Sequence, residues 1–398
     1  MATAQTIGGR IRTIRKLRNL STRQAAGLAG ISQSTWSRIE NGERSADNRH
    51  MLAAIAQALQ CSTADLTGQP PTPTDRLSAR VASAVHRTVQ ALLDTDLDLP
   101  GTVARPRPLA ALREEADAIQ QFGLTCKYAD AAGRLPDLLR EAHAHLRGPD
   151  RESALRTVSA AARWSMVTLK CLGWPTEAWV AADRSHEAAM ALGDPIVIGV
   201  ASWARGHAAT SCGAYSRAIA VTSAGLETLR DCDLPQAAQV RGSLHLLAGW
   251  AEWGLGHATE GDALIGEATR IAHEVGDPGE DPYGLVFGPT NVGLWKLSAA
   301  VEAGDAGRAV EISAGLAPGT LPISRQAALY LDLGRALAEV GDTDRAVRTL
   351  LQAERVGPER VRKSPLARET VRGLVEQSRR RDRPALTGLA ERLNLTTD

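Results

Sequence analysis

The chain has 398 residues, a formal net charge of +1 at neutral pH and a hydrophobic fraction of 43%. This length is more than one hydrophobic core normally serves, so we expect two or three folded units. There is no uncharged apolar run of about 18 residues and no charged-then-apolar start, which predicts a cytoplasmic protein rather than a secreted or membrane-spanning one.

Side-chain composition indicates a mainly α-helical protein without catalytic motifs. Ala and Leu are abundant, whereas the chain has only two Phe and four Tyr. The five cysteines are scattered and include no CxxC pair, which argues against a disulfide framework or a zinc site. No GxSxG, P-loop or HExxH motif occurs. We therefore expect no enzyme activity, no metal and no cofactor.

The segment Leu20–Gly42 has the pattern of two short helices joined by a tight turn. Ser21 and Gln24 form a capping box, which predicts that the first helix begins at the residue after Ser21. Ala25 and Leu28 are expected to form the apolar side of that helix.

The second helix of this segment is expected to follow a turn at Gly30, with Ser32 as its N-cap. Trp36 and Ile39 should point into the core. The polar side chains of the opposite, outer side are those of Gln33, Ser34, Ser37 and Arg38. Amide and short polar side chains at a helix N-terminus suit contacts with base edges in the major groove. The segment therefore predicts a helix-turn-helix that binds double-stranded DNA.

Residues 7–66 resemble the Cro/C1-repressor (XRE) family of five-helix DNA-binding domains. The resemblance is carried by a basic first helix around Arg10–Arg18, the turn AGIS, the stretch SQSTWSRIENG and the closing AIAQALQCSTADL. It implies that Gln33, Ser34 and Arg38 face bases, that Thr22 and Ser37 lie near the phosphate backbone or the groove edge, and that Asn41 to Arg44 approach the other strand. It also implies a pairing of Arg15 with Glu40 across the core.

The charge distribution agrees with a DNA-binding N-terminal module. Residues 1–66 carry nine Lys and Arg against four Asp and Glu, so the rest of the chain has a net charge of about −4. A basic module on a mildly acidic body concentrates the attraction for phosphate in one place. We expect the basic residues between positions 10 and 18 to contact phosphates.

Two breaks divide the chain into three expected parts: 1–67, 68–108 and 109–398. The first break, Gly68–Thr74, is rich in Pro and predicts an extended tether. A connector helix is expected from Arg76 to Leu97, packed against its own body or a second subunit. Its predicted apolar side consists of Leu77, Val81, Val85, Val89 and Leu92. The second break runs from Leu99 to Pro108.

The region from Leu109 to about Leu395 contains a recurring turn in which a glycine is followed five residues later by a small residue. The pairs are Gly173/Ala178, Gly213/Ala218, Gly256/Gly261, Gly304/Ala309 and Gly341/Ala346. A glycine that ends one helix and a small residue that lets the next pack closely are typical of helical hairpins. The sequence thus predicts an all-α chain with a degenerate tetratricopeptide-like α-solenoid of five to seven hairpins after the DNA-binding module.

A candidate ligand pocket lies within these repeats. Trp203, Trp250 and Trp295 fall on first helices of successive hairpins, which line the concave side of such a solenoid. Together with Arg205, His207 and Asn291 they have the mixed apolar and polar composition of a ligand site. The alternative is structural: a buried Trp usually fills a core, and the Pro of the Phe287–Val292 segment is ordinary at a helix start.

An XRE module joined to a tetratricopeptide-like body is similar to the peptide-sensing regulators of Gram-positive bacteria. It also resembles actinobacterial-type regulators that carry an FGPTNV segment followed by repeats like GDAGRA. The resemblance implies a homodimeric transcription regulator that binds a palindromic operator and responds to a peptide or small-molecule effector, with Asn291 holding a peptide main chain. Two alternatives stay open: a body that is an adaptor for a protein partner, and a phage-type or antitoxin-type repressor.

The last notable segment is the basic stretch from Arg355 to Arg383. Acidic residues are interspersed in it, which favours a solvated capping helix. A second contact with DNA or protein is the alternative.

Overall fold

The computed structural model describes residues 6–73, 75–98, 101, 103–277, 281–378 and 384–395. In these ranges the chain is all-helical and contains no strand, which confirms the predicted fold class. None of the helices described there combines the length and the apolar character that crossing a bilayer requires.

Contacts divide the chain into two units. Unit 1 comprises Met1–Pro71, Gly293–Pro318 and Gln326–Asp398, and unit 2 comprises Thr72–Val292 and Gly319–Arg325. Unit 1 therefore joins the N-terminal module to helices from the far end of the chain. Because contacts do not measure independent folding, the three-part division predicted from the sequence stays a prediction.

The N-terminal module, here named the head (residues 6–67), consists of five helices. They are α1 (Ile7–Leu17), α2 (Thr22–Leu28), α3 (Gln33–Glu40), α4 (Arg49–Leu59) and α5 (Thr63–Thr67). The predicted caps are confirmed: Ser21 and Gln24 form a capping box, and Ser32 accepts the backbone N–H of Thr35. Gly30 has a φ of 68°, in the left-handed region that favours glycine.

The head closes on an apolar core to which α2 contributes small residues. Ala25, Ala26 and Ala29 are buried, whereas Leu28 is 65% exposed. The prediction that Leu28 faces the core was wrong. The inward positions on α2 follow i, i+1 and i+4, and Leu28 lies off that face at the last residue of the helix.

The connector helix is α6 (Arg76–Asp94), and it packs on its own body. It ends three residues before the predicted Leu97. Its buried face is formed by Ala84, Val85, Thr88, Ala91 and Leu92. Leu77 is 66% exposed, so its predicted place on that face was wrong: the buried positions begin two turns later in the helix.

Helical hairpins follow, six of them in the part of the chain that the structure describes. They are α7/α8 (Leu109–Leu124, Tyr128–Ala144), α9/α10 (Arg151–Leu172, Pro175–Leu192), α11/α12 (Pro195–Ser211, Tyr215–Thr228), α13/α14 (Pro235–Gly254, Ala258–Val275), α15/α16 (Pro289–Glu302, Ala306–Ala314) and α17/α18 (Ile323–Glu339, Thr343–Val356).

All five predicted turn glycines have positive φ, from 76° to 94°. The small residues that follow them are buried, as predicted. The turn between α7 and α8 was missed because Cys126, with a φ of 59°, occupies the position of the glycine.

The C-terminal basic stretch does not form one solvated helix. After α18 come α19 (Pro358–Lys363), α20 (Pro365–Ser378) and α21 (Pro384–Arg392). Pro365 lacks a backbone N–H and its ring disfavours a continuous helix across Ser364, so α19 and α20 are separate. Leu366 on α20 belongs to the core cluster of the head. The segment 379–383 of the predicted helix lies outside the described residues.

Candidate nucleic-acid interface

The outer face of α3 consists of polar side chains, as the sequence predicted. Gln33, Ser34 and Arg38 are exposed and Ser37 is half-buried. On the opposite side Trp36 is 1% exposed. The Gln33 side-chain amide donates to the Thr22 hydroxyl over 3.3 Å. The start of α2 and the start of α3 therefore present adjacent polar groups, which is the arrangement that a helix-turn-helix offers to a major groove and its phosphates.

A buried carboxylate fixes α3 to α1. Arg15 donates to both Glu40 oxygens, from Nε over 2.6 Å and from Nη2 over 2.8 Å, which confirms the predicted pair. The Trp36 indole N–H donates to Glu40 Oε1 over 2.6 Å. Burial alone would raise the pKa of Glu40, but the bonds from Arg15 and Trp36 outweigh it and hold the pKa below its ordinary value. The orientation of α3 thus depends on one ionised side chain.

Three of the basic side chains of the α1 region have partners within the head. Besides Arg15, Arg12 donates to the side chain of Asn41, and Arg18 donates to the Gln60 carbonyl over 3.0 Å. The Asn41 amide in turn donates to Glu43 over 3.3 Å. The side chains of these basic residues and of Asn41 therefore already have hydrogen-bond partners within the head. Their contacts with phosphates and with DNA stay predictions.

Within unit 1 the head is held by four charged residues, here named the ionic latch: Arg49, Glu302, Asp332 and Arg335. Glu302, Asp332 and Arg335 are buried, and Arg49 is half-buried. Arg49, at the start of α4, donates to Glu302 over 2.6 Å and to Asp332 over 3.1 Å. Arg335 donates to the same two carboxylates over 2.8 and 2.9 Å. Asp332 also accepts from the Ser298 hydroxyl over 2.7 Å. Two guanidiniums therefore alternate with two carboxylates between α4, α15 and α17.

Hydrogen bonds to the head backbone and to α20 extend the latch. Arg335 donates to the carbonyl of Asp47, and the Asn48 amide donates to the carbonyl of Glu302 over 2.6 Å. The Thr370 hydroxyl donates to Asp47 Oδ2 over 2.9 Å. The loop before α4 is thus tied to α15, α17 and α20.

The electrostatics of the latch depend on mutual neutralisation. Burial would raise the pKa of Asp332 and Glu302, yet the guanidiniums of Arg49 and Arg335 lower both below their ordinary values. Burial would likewise lower the pKa of Arg335, and the surrounding carboxylates raise it. All of these side chains are therefore charged, and the loss of any one leaves an uncompensated buried charge.

His50, next to Arg49, gives the latch region a pH dependence. Burial lowers the pKa of His50 to about 4; Glu302 opposes this effect, and Arg49 and Arg335 add to it. An unfolded histidine has a pKa of about 6.5 and takes up a proton that the folded site resists. Stability contributed by the neutral ring is therefore present above pH 6.5 and is lost as the pH falls toward 4.

We expect acidification from pH 7 to pH 5 to lower the free energy of unfolding of unit 1 by about 2 kcal/mol through this residue. Chemical denaturation of the wild type and of His50→Leu at both pH values measures the effect. The difference between pH 7 and pH 5 should be smaller in the variant by that amount. An identical pH dependence in the two proteins would contradict this account.

The predicted ligand residues do not all belong to one unit. Trp203, Arg205, His207, Trp250 and Asn291 lie in unit 2, and Trp295 lies in unit 1. The Trp203 and His207 rings meet edge to face at a centroid distance of 4.4 Å. Arg205 pairs with Asp183 over 3.0 Å and lies 5.3 Å from the centre of the Trp179 ring.

These predicted ligand residues also differ in how far they are buried. Trp203, Trp250 and Asn291 are buried, with exposures of 6%, 7% and 2%, while Trp295 is half-buried. The side-chain oxygen of Asn291 is buried without a hydrogen-bond partner. Asn291 stands in the first turn of α15, where Pro289 begins the helix as predicted.

The sequence did not reveal the ionic latch. Its members come from positions 49, 302, 332 and 335, and each reads as an ordinary solvated charge on its own helix. The available signal was local: Asp332 and Arg335 are three residues apart within the otherwise apolar stretch LYLDLGRALA. A charged pair at this spacing on a core-facing side indicates a buried partner elsewhere.

Comparison with known protein families identifies the head. The family model described as a helix-turn-helix domain matches residues 6–67. No curated protein sequence matches the chain.

Among the solved structures that resemble the chain are two of low sequence identity. One is PlcR of Bacillus thuringiensis in complex with the peptide PapR7 and DNA, with 18% identity, 68% of this chain and 96% of that chain covered, and a TM-score of 0.33. The other is the apo form of ComR from S. thermophilus, with 13% identity, 68% and 94% covered, and a TM-score of 0.22. The comparisons thus identify residues 6–67 as a helix-turn-helix domain.

Proposed function

We propose that the chain is a bacterial transcription regulator of the XRE type that binds a palindromic operator as a homodimer through α3. The observation that carries this proposal is the exposed polar face of α3 on a helix-turn-helix domain whose inner side is fixed by the Arg15–Glu40 pair. A regulator that acts on bacterial DNA works in the cytoplasm. Two heads would place their α3 helices in half-sites about 34 Å apart or a multiple of that distance.

The proposed roles of the head residues follow their positions. Gln33, Ser34 and Arg38 are exposed at one side of α3 and are assigned to base contacts. Thr22 and Ser37, which are half-buried beside them, are assigned to the phosphate backbone or the groove edge. Asn41 and Arg44, both exposed after the end of α3, are assigned to the other strand.

The amide of Gln33 provides the sharpest test of direct base contact. If Gln33 makes a bidentate contact with a base, Gln33→Ala should weaken binding to a selected operator by about 1–3 kcal/mol and relax the choice of base at one position. Fluorescence anisotropy with the operator and with single-base variants of it measures both effects. Gln90→Ala, an exposed change on α6, serves as the control. Equal operator binding by wild type and Gln33→Ala would refute the assignment.

We further propose that the helical body, of the actinobacterial type with its FGPTNV segment, senses a peptide or a small molecule. Trp203, Arg205, His207, Trp250, Asn291 and Trp295 are the proposed ligand residues. Support comes from the aromatic and cationic side chains gathered around Trp203 and Arg205, and from the buried Asn291 oxygen without a partner, which a ligand N–H would satisfy.

Native mass spectrometry of protein purified gently from its own host tests the dimer and the effector together. We expect a dimer that carries an added mass below a few kilodaltons. A monomer would contradict the proposed homodimer. A dimer bound to a whole polypeptide would favour the adaptor alternative over effector sensing.

A further inference from the structure

A cavity of about 300 Å³ lies inside unit 1, beside the end of α3. Its head wall includes Arg38, Arg44 and Ser45, and its other walls come from α15, α17 and α20. This volume is at the lower end of the range of small-molecule sites, so a phenyl-sized body with one polar group fits it.

The head side of the cavity presents two guanidinium groups. Arg38 and Arg44 are exposed, and neither guanidinium has a hydrogen bond or an ion pair within the described chain. Of the two carboxylates that line the cavity, Asp47 accepts a hydrogen bond from Thr370, and Glu339 on α17 interacts electrostatically with Arg44. Guanidinium groups bind carboxylates and phosphates through charge-assisted hydrogen bonds, so these two favour an anionic ligand group.

The interior adds unsatisfied donors and apolar surface. Ser45 Oγ and Arg335 Nε are buried and have no hydrogen-bond partner. Arg335 itself is only 3% exposed, and its Nε lies 3.9 Å from the nearest Asp47 oxygen. Met51, Val301 and Leu374 supply apolar walls. Buried polar atoms in proteins are normally satisfied, so these atoms indicate a place for ligand acceptors.

We propose that this cavity binds a small ligand in which a carboxylate or phosphate group is joined to a compact apolar body. The anion lies between Arg38 and Arg44, and the body extends toward Met51 and Leu374. One consequence rests on the proposed function: because Arg38 and Arg44 are also assigned to DNA, the ligand and the operator exclude each other. The ligand is thus an antagonist of DNA binding that acts at the head itself.

Gly373 on α20 allows the cavity to be filled without disturbing the backbone. A Cβ built at Gly373 meets no atom within 4 Å, so Gly373→Phe places a ring in the space of the ligand. Gly133→Phe on α8 is the matched control, because that glycine is also helical and also has open space around its Cβ. Phenyl phosphate and benzoate are the probes, and benzyl alcohol is the neutral control compound.

The full chain is titrated with each probe, with Tm as one readout and operator binding as the other. We expect phenyl phosphate, benzoate or both to raise Tm in a saturable way, with Kd in the millimolar range, of order 1 mM. At ten times its Kd, an exclusive competitor should weaken operator binding by about 11-fold. Gly373→Phe should abolish both effects, Gly133→Phe should keep them, and benzyl alcohol should have neither. The probe that acts distinguishes a carboxylate ligand from a phosphate ligand.

The outcomes separate this proposal from the proposed function. No saturable rise in Tm with either anion, or a rise that persists in Gly373→Phe, would overturn the site. A saturable rise that Gly373→Phe abolishes, in a chain that binds no operator at all, would keep the site and refute the DNA-binding assignment. Probe binding without any loss of operator affinity would overturn the antagonism.

Discussion

Arg335→Ala should release the head from α15 and α17. The guanidinium is buried and neutralises Glu302 and Asp332 while it holds the Asp47 carbonyl. Removing one partner from a buried ionic group typically costs about 3–5 kcal/mol, because the remaining charge is left unpaired in a dry site.

Hydrogen exchange at the Arg49 amide reports this release directly, since that N–H donates to Glu302. We expect its protection to fall by the equivalent of about 3–5 kcal/mol in Arg335→Ala. Arg308→Ala is the control, because Arg308 pairs with Glu311 at the surface and such pairs contribute about 0–1 kcal/mol. Unchanged protection of the Arg49 amide in Arg335→Ala would contradict the latch.

The latch can also be tested by replacing all four of its charged residues together. Replacement of a whole buried ionic group by apolar residues is often neutral or stabilising. We therefore expect the combined change of all four latch residues, Arg49→Met, Glu302→Leu, Asp332→Leu and Arg335→Met, to be less destabilising than Arg335→Ala alone.

Glu40→Ala should disable the head from within. Glu40 accepts two bonds from Arg15 and one from the Trp36 indole, and its loss leaves a half-buried guanidinium and a buried N–H without their acceptor. We expect a loss of about 3–5 kcal/mol in the stability of the head. Since α3 is anchored through this carboxylate, operator binding should fall with it.

Hydrogen exchange at the backbone amides of the head, together with operator binding, measures both effects. Glu311→Ala is the control, because this carboxylate is exposed on α16 and pairs with Arg308 at the surface, outside the head. In the wild-type protein, acidification should lower the stability of the head as Glu40→Ala does. Because the pKa of Glu40 lies below its ordinary value in the folded head, the stability it contributes is full above that ordinary value and is lost as the pH falls further. Full operator binding by Glu40→Ala would contradict the anchoring role.

The sequence predicted the elements whose signals are local. The caps at Ser21 and Ser32 are a few residues from the backbone groups that they bind, and the turn glycines act on their own φ angles. Such features do not depend on the rest of the chain. The exposed side of α3 followed from the helical period once Trp36 was placed inward.

The rest depended on contacts that no local pattern encodes. Leu28 has the side chain of a typical core residue, yet Ala25 and Ala26 of the same helix and Ala29 at its C-cap occupy the core-facing positions, so Leu28 is exposed. Asp47 binds Thr370 across more than 300 residues, and neither residue type indicates the other. The sequence showed that the candidate ligand residues combine aromatic and polar side chains. Their burial could not be predicted, because it depends on how the hairpins stack.

In vitro selection from random duplex DNA with the full chain tests the central claim most directly. If α3 reads base edges as proposed, repeated rounds should enrich one palindromic sequence with half-sites about one helical turn or a multiple of it apart. In the same selection Gln33→Ala should still enrich the palindrome, but with a relaxed choice of base at one position of each half-site. A pool that stays random after selection with the folded wild-type chain would contradict sequence-specific DNA binding.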